Sequence, residues 1–77
     1  MKTKLDYQNL VNKGYEVEKQ LGFIYLVDEC VDRENVNTDC VENTPEWWDS
    51  LYSASEYAIC FRLTELGHNP NTYGFNY

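Results

Sequence analysis

No stretch of this 77-residue chain is apolar for long enough to span a bilayer or serve as a secretory leader. The longest apolar run is Phe23 to Val27, and the chain opens on Met-Lys-Thr-Lys-Leu-Asp-Tyr. A soluble, cytoplasmic protein is the expectation. Bases are scarce: six Lys and Arg stand against 13 Asp and Glu, a formal charge of −7. Phosphate neutralisation needs clustered Lys and Arg, so direct nucleic-acid binding is excluded, and an anionic membrane is an equally poor partner.

Catalytic parts are missing as well. The chain has one histidine, His68, placed just past a helix-ending Gly67, where it suits a helix C-terminus better than a base beside a nucleophile. The cysteines, Cys30, Cys40 and Cys60, are odd in number, which fits reduced thiols better than a secreted disulfide framework; a Cys30–Cys40 bridge is the minority reading. Their wide spacing, with His68, lacks the close pairs that pre-form a zinc site. Asp28, Asp32, Glu34 and Asp39 hint at a calcium loop, but no glycine lies among them and Arg33 and Val36 interrupt the pattern. No glycine-rich phosphate loop is present. The reading is a non-enzymatic protein with no cofactor and no metal.

What the chain does have is aromatic residues: Trp47, Trp48, seven Tyr and three Phe. Each buries a large area at modest entropy cost, enough to expect one small folded domain over residues 1–77. The clearest element is a long helix. Thr44 can cap it, Pro45 suits its first position, and Glu46 and Asp49 favour its positive end. Trp48, Leu51, Tyr52, Ser55, Ala58, Ile59, Leu63 and Leu66 form a stripe at three- and four-residue steps until Gly67 and Pro70 stop it. Residues 56–64 also alternate with period two, so a strand there competes with the helix.

Earlier, Leu5, Tyr7, Leu10 and Val11 suggest a short helix over residues 4–13, ended by Gly14. Residues 15–20 alternate briefly, Leu21-Gly22 offers a turn, and Phe23–Val27 is β-branched and aromatic; together they read as an antiparallel hairpin. Residues 28–43 read as a mobile acidic loop. After a turn at Asn69-Pro70-Asn71, the alternating Tyr73, Phe75 and Tyr77 suggest a third strand. The expected fold is α+β in the order α-β-β-α-β, with the sheet packed on the long helix.

The charge is concentrated. Nine acids lie between Asp28 and Glu56 with Arg33 as the only base, so this segment carries −8 while its flanks are near neutral. Adjacent tryptophans on a helix point roughly 100° apart, so one of them, Trp47, should be at least partly exposed beside Glu46 and Asp49. An aromatic ringed by carboxylates has the make-up of an interface centre with a charged rim. The candidate partner-binding residues are therefore Asp28, Glu29, Asp32, Glu34, Asp39, Glu42, Glu46, Trp47 and Asp49.

The expected function is an inhibitor or binding protein, a monomer or small homo-oligomer, whose acids dock onto a basic partner surface that normally holds nucleic acid. In size, charge, aromatic content and lack of catalytic residues the chain resembles the small phage- and mobile-element-encoded inhibitors: anti-restriction DNA mimics and anti-CRISPR proteins. That resemblance implies a nuclease or CRISPR effector as partner, and it covers no specific stretch. The alternative is an assembly subunit joining a larger complex through its aromatic C-terminal strand. A transcriptional or toxin–antitoxin regulator would need a basic DNA-binding face, which is absent, or a partner gene, on which one chain is silent.

Overall fold

The computed structural model describes residues 2–22, 25–30 and 40–76, with the backbone alone at 29 and 30. Among them there is no strand. The elements are α1 (Lys4–Leu21), α2 (Leu26–Cys30), α3 (Pro45–Glu65) and the 3-10 turn η1 (Pro70–Tyr73). The expected α+β fold with a sheet is thus replaced by a helical one, and each displaced strand has a physical reason.

The first helix does not stop at Gly14. Thr3 and Asp6 form a reciprocal capping box at its start. Tyr7, Leu10, Gly14 and Val17 are then buried along one face, with Leu21 packed against the same core. That stripe keeps helical spacing straight through residues 15–20, so the short alternation read as a strand is overridden. The second half of the expected hairpin fares no better. Residues 23–24 lie outside the described residues, Tyr25 adopts positive φ, and Leu26 and Val27 open α2. The Val27 N–H donates to the Glu18 carboxylate at 2.6 Å, so a side chain of α1 caps the next helix.

The long helix forms where its caps place it. The Trp47 N–H donates to Thr44 Oγ1 at 3.3 Å, and Pro45 occupies the first turn. Residues 56–64 are helical. At the far end the His68 N–H reaches the Leu63 carbonyl at 2.9 Å and the Gly67 N–H reaches Thr64 at 3.0 Å, the paired bonds of a Schellman ending. Leu66 falls off the expected stripe and is exposed.

The C-terminal aromatic segment coils instead of extending. Gly74 sits in the left-handed region at φ 84°, which turns the chain so that Phe75 points into the core and is buried. The Phe75 N–H donates back to Pro70 at 3.2 Å. Lys13 fastens this turn: its Nζ donates to the Gly74 carbonyl at 2.8 Å and lies 5.4 Å from the centre of the Phe75 ring.

α1 and α3 run side by side in the same direction. The Lys2 N–H donates to Asp49, the Tyr7 ring lies 5.6 Å from Trp48, and Gly14 faces Ile59, so contacts climb both helices together. The molecule measures 35 × 20 × 18 Å, its length close to the roughly 30 Å of a 21-residue helix. Two apolar clusters fill the seam. Tyr7, Trp48 and Leu51 form one near the helix starts; Leu10, Val17, Leu26, Ile59, Cys60, Leu63 and Phe75 form the other, and half-buried Tyr52 packs against both. Ser55, one turn from both Leu51 and Ile59, is buried between them, and its hydroxyl has no hydrogen-bond partner among the described residues.

Candidate functional site

Parallel packing sets the electrostatics of one pole. The starts of α1 and α3 lie together, so their positive dipole ends add side by side instead of cancelling. Asp6 in the first turn of α1, and Glu46 with Asp49 at the start of α3, bring negative charge to that pole. Hydrogen bonds from the Thr3 backbone and hydroxyl hold the Asp6 carboxyl below its usual range, with lysine charge adding to the effect.

The candidate residues divide by position. Glu42 precedes the helix and Glu46 lies in its first turn; both are exposed, and among the described residues neither bridges to a base. Trp47 is half-buried, edge-on to Trp48 with ring centres 4.6 Å apart. Asp49 is also half-buried, and it already accepts the Lys2 N–H at 2.8 Å. Asp28 stands apart. It is exposed on α2, next to Val27, which packs at the level of Ile59. Ten residues of α3, roughly 15 Å of axis, separate that level from Asp49. Asp32, Glu34 and Asp39 lie outside the described residues, as does the side chain of Glu29. The fold therefore gathers Glu42, Glu46, Trp47 and Asp49 at one pole and places Asp28 elsewhere.

Two positive residues that sequence reading left out share this pole. Lys2 Nζ lies 4.8 Å from the centre of the Tyr52 ring, and Lys4 Nζ lies 5.9 Å from that of Trp48. Nothing in the spacing of Lys2 or Lys4 signals these contacts, because they exist only once α1 lies parallel to α3. Tyr52 is tied further: its hydroxyl donates to Glu56 at 3.3 Å, and burial together with that carboxylate raises its pKa.

Two further chemistry-bearing groups lie away from this pole's carboxylates. Cys60 is fully buried in the core, and burial, aided by Glu56, pushes its thiol up to about 11, leaving it protonated and a poor nucleophile at neutral pH. His68 is half-buried with its ring edge-on to Tyr73 at 6.1 Å. Among the described residues no three His, Cys, Asp or Glu side chains converge to hold a metal ion. No described helix is long and apolar enough to cross a membrane. No family model, no curated protein and no solved structure matches the chain.

Proposed function

We propose that the chain is a non-enzymatic acidic binding protein that docks onto a basic, nucleic-acid-binding surface of a partner protein, as a nuclease or CRISPR-effector inhibitor would. The observation that carries this reading is the pole of α3, where exposed Glu42 and Glu46 flank half-buried Trp47 and, among the described residues, no cation is bridged to either carboxylate. Carboxylates held this way lose little on meeting an arginine or lysine, and an indole beside them supplies apolar contact at the centre. Asp32, Glu34 and Asp39 add negative charge in sequence just ahead of the same helix. The assembly reading draws less support, because Tyr73 lies in a 3-10 turn and Phe75 fills the chain's own core, while Tyr77 lies outside the described residues.

The experiment is a binding series against candidate basic nucleases or effector proteins at rising salt. Association should slow by roughly tenfold between 20 and 300 mM NaCl, as screening shortens the reach of the acidic pole. Glu42→Lys with Glu46→Lys should slow it about as much at low salt. Binding indifferent to both changes would rule the mechanism out.

A further inference from the structure

The N-terminal arm reaches the acidic pole by three routes. The Lys2 N–H bonds Asp49 at 2.8 Å, the Lys2 ammonium lies over Tyr52 at 4.8 Å, and the Lys4 ammonium lies over Trp48 at 5.9 Å. Thr3, between the two lysines, is fixed by its bonds with Asp6, so the arm is held in place and does not merely hang near the rings. Lys2 and Lys4 are both exposed, and Tyr52 beneath the Lys2 ammonium is only half-buried, so that ammonium can be displaced from its ring. A cation on an aromatic face at an exposed site is a weak contact, which a better-placed cation can replace.

We infer that the Lys2–Lys4 segment forms a built-in competitor at the docking pole: its Lys2 ammonium occupies the Tyr52 face that the partner's own basic residues take over when they bind. The inference rests on the proposed function and adds two things to it. It gives the partner's contact chemistry, a lysine- or arginine-rich protein segment whose cations stack on half-buried Tyr52 beside Asp49, Trp48 itself being buried in the core. It also gives a control on affinity, since the arm must yield first. Charge complementarity selects that occupant: the aromatic faces already carry cations, and the carboxylates beside them would repel an anionic one.

The test uses the full chain and a nona-arginine peptide at 20 mM salt, followed by tryptophan fluorescence and by the proton resonances of the Lys2 side chain. Lys2→Gln keeps the backbone bond to Asp49 and removes only the cation. Lys19→Gln, late on α1, is the charge-matched control. The expected result is that Lys2→Gln binds the peptide about threefold more tightly than Lys19→Gln. In the wild-type chain the upfield ring-current shift of the Lys2 side-chain protons should be lost on peptide addition. Equal affinity of the two variants, with those protons unmoved, would overturn the competitor while Glu42→Lys with Glu46→Lys still weakened binding. Failure of the peptide to bind any form, or binding that the Glu42 and Glu46 reversals leave unchanged, would overturn the docking pole and the competitor with it.

Discussion

A β-carbon placed at Gly14 would lie 2.7 Å from Cγ2 of Val27 and 3.8 Å from Cδ1 of Ile59. Alanine favours a helix over glycine by about 1 kcal/mol, so the substitution would stabilise α1 if space allowed. Space does not allow it. Val27 is β-branched, buried and held on α2 by the bond from its own N–H to Glu18, so it has little freedom to turn away. Overpacking costs about 1–3 kcal/mol and outweighs the propensity gain. Gly14→Ala should therefore lower stability by roughly 1 kcal/mol, measured by urea unfolding. Adding Val27→Ala should cost less in the Gly14→Ala background than alone, and a strictly additive cycle would show that the two side chains do not meet. The same glycine misleads a sequence reader, because a glycine required for close approach of two helices looks identical to one that ends a helix.

Among the elements, the C-terminal turn is seated on the core by buried Pro70 and Phe75, with half-buried Tyr73 packed beside them. Phe75 supplies a buried ring to the larger cluster, and Lys13 covers that ring while holding the Gly74 carbonyl. Phenylalanine-to-alanine changes in a core cost about 3–5 kcal/mol, comparable with the whole stability of a domain this small. Phe75→Ala should leave the chain largely unfolded by circular dichroism at 25 °C, whereas Lys13→Met should lose only about 1 kcal/mol. If Phe75→Ala melted like the parent, the ring would not be a core residue. The long helix could be read from Thr44, Pro45 and Gly67 because caps and stops act locally. The strands were misread because a period-two pattern over six residues is also compatible with a helical stripe, and what decided the matter was distant: Val27 packed at Gly14, and Phe75 turned inward at Gly74. At the candidate site, the acids flanking Trp47 could be found from composition, but the lysines above Tyr52 and Trp48 could not.

For the whole molecule, two aligned helix dipoles and a net charge of −7 both oppose compactness through like-charge repulsion. Salt screens that repulsion. The melting temperature should rise by a few degrees between 20 and 200 mM NaCl, the opposite sign to the effect of salt on partner binding. A melting temperature that fell over this range would mean that internal attractions, such as those of Lys2, Lys4 and Lys13 with their neighbours, outweigh the repulsion.

Side-by-side alignment of α1 and α3 also fixes where the chain can be handled. The start of the chain meets Asp49 at the pole, while the closing turn is held by Lys13, nine residues along α1 from Lys4 and so about 14 Å of axis away. A fluorophore carried on Lys2 would crowd Asp49 and Tyr52, and one carried on exposed Asn76, two residues past the carbonyl that Lys13 holds, would leave them uncovered. Tethering the protein to a sensor surface through Asn76 thus presents the acidic end outward, whereas tethering through Lys2 hides it.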